Sequence, residues 1–205
     1  EAAKNCDGDL LLTHAESLEL KFLDDGFGLA RSDLMYNDFV IVGPSYDPAN
    51  VSESTSAIEA FERIFVSKHK FVSRGDNSGT NLSERNLWSN LELKNISFSS
   101  DWYLETGQGM GATLNVAIGI EAYTYTDRAT WLRFANKYNH EVLFEGDPML
   151  FNQYGITLIN PEHCVNINHK SANLLYNWLL SKPAQKLISD FRVNGHYLFY
   201  PNYDK

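Results

Sequence analysis

The chain has 205 residues, of which 43% are hydrophobic and 21% charged, a composition ordinary for a folded globular protein. Its formal net charge of −9 argues against binding to nucleic acid or to anionic membrane surfaces, because both depend on lysine and arginine. The sequence contains no apolar run of about 18 residues, so we expect no insertion into a membrane.

Short strand patterns alternate with helical patterns, which favours an α/β architecture. In chain order we predict a strand at 10–13, a helix at 16–24, strand 36–42, helix 54–67, strand 70–73, helix 81–91, helix 114–120, strand 123–125, helix 130–138, strands 141–144 and 155–160, and helices 171–181 and 183–191. The aromatic tail around residues 197–203 is expected to pack on the body of the protein.

Residues 71–80 follow a predicted strand and lead into a predicted helix. The first amides of a helix lack internal partners and carry the positive end of its dipole, so this position suits an anion. Arg74 adds a planar fork of donors, and Asp76 is well spaced to hold that guanidinium. A capped helix with a surface Arg–Asp pair is the alternative. The candidate ligand-binding residues are Ser73, Arg74, Asp76, Ser78, Gly79 and Thr80.

The stretch 105–114 carries three glycines at alternate positions before a helical pattern. Consecutive exposed N–H groups of this kind suit anions. The glycine spacing does not match a dinucleotide fingerprint, and we predict that no strand leads directly into it. A plain glycine-rich turn is the alternative. The candidate residues here are Gly109, Met110 and Gly111.

Two further positions lie at the ends of predicted strands, where open α/β sheets bind ligands. Thr126 and Arg128 follow strand 123–125, although Thr126 or Asp127 could simply cap the next helix. His14 ends the first strand and is a ligand candidate, but it could equally be a partly buried histidine with a local hydrogen bond.

The histidines and cysteines do not form a recognisable metal site. His163, Cys164 and His169 match no tetrahedral zinc spacing, so we predict neither metal nor cofactor. Cys6 and Cys164 could pair in an oxidising compartment, but two cysteines do not decide the question. A nucleophile elbow and a P-loop are both missing from the sequence, and we therefore predict that the protein is not an enzyme.

With these motifs in place, the sequence resembles the tungstate-binding proteins of bacterial ABC transporters over essentially its whole length. The block W-Y-L-E-T-G-Q-G-M-G at 102–111 is the most specific. The other similar blocks lie at 10–15, 35–44, 71–80, 123–128, 145–148, 151–155 and 199–202.

The resemblance implies a type II periplasmic-binding fold, with two α/β lobes around a central cleft. Lobe I would comprise 1–41 and 155–205, and lobe II would comprise 42–154. The lobes would close on the ligand by a hinge motion. Family members begin with a further strand and helix that carry a small Ser/Thr cluster. This sequence starts after that segment, so the N-terminal part of lobe I would be missing.

The resemblance also implies a function. The chain would be a periplasmic or extracellular, monomeric solute-binding component that captures a tetrahedral oxyanion, tungstate or molybdate, and docks to a membrane permease. Tungstate needs donors on all sides, whereas phosphate keeps a proton and accepts one carboxylate, so the orientation of Asp76 distinguishes them. A phosphate- or sulfate-binding protein, an anion-sensing regulatory domain and a phosphoryl-handling hydrolase are the alternatives.

Overall fold

The computed structural model describes residues 1–91, 101–193 and 195–203, and it has the predicted mixed α/β composition. In the described residues, no helix is both long and apolar enough to cross a membrane. The elements are β1 (Leu10–Thr13), α1 (Glu16–Asp24), β2 (Gly28–Pro44), α2 (Ala57–Ser67), β3 (Phe71–Ser73), α3 (Gly79–Ser89), β4 (Tyr103–Glu105), α4 (Met110–Gly119), β5 (Tyr123–Asp127), α5 (Arg128–Arg133), β6 (His140–Phe144), β7 (Phe151–Ile159), α6 (His169–Leu179), α7 (Lys182–Asp190), β8 (Arg192–Val193), β9 (His196–Tyr197) and β10 (Tyr200–Pro201).

The chain divides into two compact units. Unit 1 comprises Glu1–Asn37 and Asn152–Lys205, and unit 2 comprises Asp38–Phe151. Strands β2 and β7 run through the two points of division. The predicted lobe boundaries, after residues 41 and 154, fall a few residues further along the same two strands.

In unit 2, β3 lies between two parallel neighbours. Phe71 is in register with Tyr103 of β4 on one side and with Tyr123 of β5 on the other. The C-terminal half of β2 continues this sheet, pairing antiparallel with β5 and with β6. Because parallel strands end at one edge of a sheet, the helices α3, α4 and α5 all begin near the carboxyl ends of β3, β4 and β5.

The core of unit 2 is rich in aromatic side chains, which pack between the sheet and helices α2 and α3. The ring of Trp88 meets Phe61 edge-on at 4.4 Å and Phe71 at 5.2 Å between centroids. Helix α2 presents Phe61 and Ile64 to this cluster, and both are fully buried. A second cluster under α4 and α5 includes Leu114 and Trp131.

Unit 1 has smaller hydrophobic clusters. Strand β1 pairs antiparallel with β7, from Leu10 opposite Leu158 to Thr13 opposite Gly155. Cys6 and Cys164 form a disulfide, which answers the question that the sequence left open. Their sulfur atoms lie near an imidazole nitrogen of His163, but sulfurs bonded to each other are not thiolate ligands for a metal.

Most predicted elements are present with shifted ends, and two predictions were wrong. The helix predicted at 130–138 ends at Arg133, because Phe134 adopts an extended backbone. A strand does precede the glycine-rich stretch, since β4 (Tyr103–Glu105) leads into Thr106. This three-residue strand is defined by its pairing with β3, and so its own sequence gives little sign of it.

Candidate anion-binding site

The candidate site is built on the loop between β3 and α3 in unit 2. Gly75 adopts φ +60° there, and a Cβ at this position would lie 2.6 Å from the Cβ of Glu105. Glycine is therefore required both for the left-handed backbone and for the close approach of the neighbouring strand end. The turn directs Arg74 and Asp76 towards each other across it, and both side chains remain about one-fifth exposed.

Asp76 uses both carboxylate oxygens inside this loop. Its Oδ2 accepts from Nε of Arg74 at 3.1 Å and also from Nη2. Its Oδ1 accepts from the backbone N–H of Ser78 at 3.1 Å. Partial burial favours a higher pKa for Asp76, but the hydrogen bonds from Ser78 and the charge of Arg74 outweigh it and lower the pKa. Asp76 therefore acts as an ionised anchor for Arg74.

The N-terminus of α3 begins directly after this anchor. Ser78 caps the helix, with its Oγ 3.4 Å from the backbone N of Asn81. The backbone N–H groups of Gly79 and Thr80 make no hydrogen bond to any residue that the structure describes. An anion at this helix end could accept hydrogen bonds from these two amides.

The glycine-rich loop adjoins the first loop through backbone hydrogen bonds. The N–H of Thr106 donates to the carbonyl of Ser73 at 3.0 Å, and that of Gly107 donates to the carbonyl of Arg74 at 2.8 Å. Gly109 then serves as the N-cap residue of α4. Within the described ranges, the N–H groups of Gly109, Met110 and Gly111 have no protein acceptor. The two predicted loops thus lie side by side.

Ser73, another predicted ligand residue, has its hydroxyl committed inside the protein. Its Oγ accepts from the N–H of Gly75 at 3.2 Å and from Nδ2 of Asn81 at 3.1 Å. It donates to Oε2 of Glu84 at 2.6 Å. A hydroxyl has one proton and two acceptor positions, so this arrangement leaves Ser73 no proton for a ligand.

Glu84 lies beneath the loop and is only 1% exposed. Its Oε1 accepts from Nε1 of Trp88 at 3.0 Å and from the hydroxyl of Tyr103 at 2.8 Å. Burial raises the pKa of Glu84, and the hydrogen bonds from Ser73, Tyr103, Trp88 and Asn81 offset that rise only in part. The sequence analysis missed Glu84; the only signal was that Trp88, four residues on, shares its helix face.

Arg128 begins α5, at the end of the strand next to β3. Its Nε donates to Oδ1 of Asp38 at 2.7 Å, and its Nη2 contacts both Asp38 and Glu145. These two carboxylates raise the pKa of Arg128, so its guanidinium is held charged and fixed in direction. Thr126 is fully buried, and its hydroxyl bonds the carbonyl of Asp127. Asp127 caps α5 by accepting from Thr130 N–H at 2.8 Å, as the alternative interpretation expected.

His14 belongs to unit 1. It follows the end of β1, where its Nδ1 lies 3.0 Å from Oδ1 of Asn152 and its ring stacks on Tyr154 at 5.0 Å between centroids. Asn152 in turn donates to Oδ1 of Asn37 at 2.7 Å. These contacts provide the local hydrogen bond that the sequence analysis gave as the alternative to a ligand contact.

Fold and loops together define an α/β binding domain of the PBP class, and comparison with known proteins identifies its family. A family model described as the PBP superfamily domain matches residues 1–183. The chain is 38% identical to the tungstate-binding protein TupA of Peptoclostridium acidaminophilum, over 98% of this chain and 71% of that protein. It is 35% identical to TupA of Campylobacter jejuni, over 96% of this chain and 73% of that protein.

Solved structures agree with the sequence relatives. The tungstate-binding protein TupA from Desulfovibrio alaskensis is 44% identical, with a TM-score of 0.89 over 99% of this chain and 82% of that one. The chain is also 41% identical to a protein of Haloferax volcanii, over 98% of this chain. It spans 60% of the length of that protein. The chain therefore belongs to the PBP superfamily and, within it, to the family of the tungstate-binding protein TupA, which confirms the resemblance stated above.

Proposed function

We propose that this chain is the solute-binding component of an ABC transporter and that it captures tungstate without chemical change. The anion would lie at the carboxyl edge of the unit 2 sheet. The amides at the N-termini of α3 and α4 would donate to its oxygens, and the guanidinium groups of Arg74 and Arg128, each held in place by carboxylate partners, would supply further donors. The hydroxyls of Ser78 and Thr80 remain proposed ligand contacts, and in unit 1 His14 remains a proposed ligand residue of that unit. The names of the relatives and the structure from Desulfovibrio alaskensis support this proposal.

The orientation of Asp76 is the observation that carries the choice of ligand. Both of its oxygens accept from Arg74 or from the N–H of Ser78, so this carboxylate is engaged within its own loop. Tungstate, molybdate and sulfate are fully deprotonated at neutral pH and require only donors. Protonated phosphate would leave its hydroxyl without an acceptor at this loop, which costs affinity.

The disulfide supports a place of action outside the cytoplasm. Disulfides persist in oxidising compartments such as the bacterial periplasm, and Cys6 and Cys164 are joined in this chain. A binding protein in that compartment would deliver its anion to a membrane permease. The ABC-transporter structure from Geobacter sulfurreducens, 39% identical with a TM-score of 0.80, supports such a partner.

Titration calorimetry of the full-length protein with tungstate, molybdate, sulfate and phosphate tests the ligand class. We expect the tightest binding for tungstate and the weakest for phosphate. No heat from any of the four anions would exclude the proposal, and a preference for phosphate would exclude the role given to Asp76.

The substitution Arg74→Ala tests the position of the site. Removing a charge-assisted donor fork should weaken tungstate binding by roughly 100-fold or more. Arg63→Ala is the matched control, because Arg63 also carries one positive charge in unit 2 but donates to Glu59 at 2.9 Å on α2. Equal affinities of the two variants would show that the anion lies elsewhere.

A further inference from the structure

A buried hydrogen-bond network underlies the candidate loop at both of its ends. Ser73 holds the N–H of Gly75 at the beginning of the loop. At the other end, Oδ1 of Asn81 accepts from the N–H of Asn77 at 3.1 Å. Asn81 also donates to Ser73 through Nδ2, which joins the two ends. Ser73 and Asn81 are each only 1% exposed, so water does not compete for these bonds.

Glu84 fixes the direction of this network. The Ser73 hydroxyl can accept from both Gly75 and Asn81 only if its own proton points elsewhere. Oε2 of Glu84, at 2.6 Å, is the acceptor that takes this proton. The opposite oxygen of Glu84 is held by Trp88 and Tyr103, so the carboxylate itself cannot turn.

We propose that Glu84 is a positioning residue for anion binding: through Ser73 it holds the loop that directs Arg74 and the α3 amides at the ligand. This inference rests on the proposed function of the same loop. Glu84 does not contact the ligand in this proposal. Its contribution is to keep Gly75 and Asn77 in place before the anion arrives, which lowers the ordering cost of binding.

The substitution Glu84→Gln distinguishes a positioning role of Glu84 from a purely structural one. Ser73 donates to one oxygen of Glu84, and Trp88 and Tyr103 donate to the other, whereas an amide offers only one oxygen. If the amide oxygen faces Ser73, the NH₂ group opposes the N–H of Trp88. If it faces Trp88, the NH₂ group displaces a donor from Ser73. Either orientation should disturb the loop and weaken tungstate binding roughly 5- to 100-fold.

The double variant Glu84→Gln/Trp88→Phe removes the opposing donor. The amide oxygen can then face Ser73 while its NH₂ group donates to the hydroxyl of Tyr103. We expect tungstate affinity to recover at least in part, although the loss of the indole from the aromatic core makes this variant less stable than Glu84→Gln. If Glu84 only supported the fold, the double variant, which is less stable than Glu84→Gln, would not bind tungstate more tightly than Glu84→Gln does.

The experiment measures tungstate affinity by calorimetry and melting temperature for each variant. Leu87→Ala is the control, because Leu87 lies on the same helix, is fully buried in the core and makes no bond to the network. We expect it to lower the melting temperature and leave the affinity within about two-fold of wild type. Ser73→Ala, a small change that should fold, is expected to weaken binding as Glu84→Gln does.

The outcomes separate this proposal from the proposed function. If the wild-type protein binds none of the four anions, the proposed function fails. If the wild type binds tungstate and either Glu84→Gln or Ser73→Ala binds it equally well, the positioning role is overturned. An equal loss of affinity in Leu87→Ala, or no recovery in the double variant, overturns it as well.

Discussion

Two strand ends in this chain, one in each unit, are built alike. Thr13 ends β1 and donates its hydroxyl proton to Glu19 at 2.7 Å; Ser73 ends β3 and donates to Glu84 at 2.6 Å. In both places the glutamate lies on the helix that follows the strand and is almost fully buried. Glu19 also accepts from the N–H of Ala15, and so holds its turn directly. Each turn is thus fixed from below by one carboxylate.

The two glutamates differ in how their charge is balanced. Glu19 accepts from Nε of Arg31 at 3.0 Å, and Arg31 contacts Asp33 as well. Glu84 has neutral partners, namely the hydroxyl of Ser73, the indole of Trp88, the phenol of Tyr103 and the amide of Asn81, and no cation bonds it among the residues that the structure describes. The β1 turn therefore depends on a buried ion pair, whereas the β3 loop depends on neutral donors around an unbalanced carboxylate.

The largest expected change in unfolding free energy comes from breaking the ion pair between Glu19 and Arg31. Glu19→Ala removes the buried partner of Arg31, whose side chain is only 9% exposed, while Asp33 still contacts the guanidinium. We therefore expect a loss towards the lower end of the about 3–5 kcal/mol of unfolding free energy that breaking a buried pair costs. Urea unfolding measures the loss. Glu16→Ala is the control, because Glu16 is 57% exposed and lies 3.9 Å from the same guanidinium, so its loss should cost less than about 1 kcal/mol. Similar losses in both variants would mean that the β1 turn does not depend on the buried pair of Glu19 and Arg31.

A smaller effect is expected where β7 passes the ion pair. A Cβ at Gly155 would lie 2.2 Å from Oε2 of Glu19 and 2.9 Å from Nε of Arg31, so Gly155→Ala must displace the pair. We expect a cost of about 1–3 kcal/mol in urea unfolding. Gly119→Ala, at the end of α4, meets no atom within 4 Å and should leave stability unchanged or raised by less than about 1 kcal/mol. If Gly155→Ala has the same unfolding free energy as the wild type, Glu19 and Arg31 can separate without cost.

The sequence predicted the parts of the site that depend on local rules. An S-G-T segment after a strand predicts a capped helix start, and α3 does begin at Gly79 with Ser78 as its cap. The spacing of Arg74 and Asp76 likewise predicted their pair, which the structure contains. These features involve residues within a few positions of one another, so their geometry follows from the backbone alone.

The network around Glu84 could not be predicted in the same way. Its donors come from three elements, and one of them, Tyr103, lies on β4, a strand that the sequence analysis did not predict. A polar helix with a glutamate in its second turn normally presents that residue to solvent. Only the parallel pairing of β3 with β4 brings the phenol over the carboxylate and excludes water from it.

The smallest expected effect is a dependence of stability on pH that belongs to Glu84. Its pKa in the folded protein is raised above the ordinary value of 4.5, so between these two values the folded state holds more protons than the unfolded state. The contribution of Glu84 to stability is therefore fully present below pH 4.5 and is lost as pH rises through the folded-state pKa. Glu84→Gln lacks this contribution.

The difference in unfolding free energy between the wild type and Glu84→Gln, measured in urea from about pH 4 to pH 8, isolates this effect. Asp76 and His140 have lowered pKa values, so their contributions to stability are lost as pH falls. That of Asp76 is lost below its ordinary pKa value of 3.8, outside this pH range, and that of His140, which lies outside the Glu84 network, occurs in both proteins and cancels in the difference. We expect the wild type to lose stability relative to the variant as pH rises. If this difference stays constant, or if the wild type gains stability relative to the variant as pH rises, the neutral donors balance the charge of Glu84 as well as Arg31 balances that of Glu19. The distinction between the two turns would then disappear.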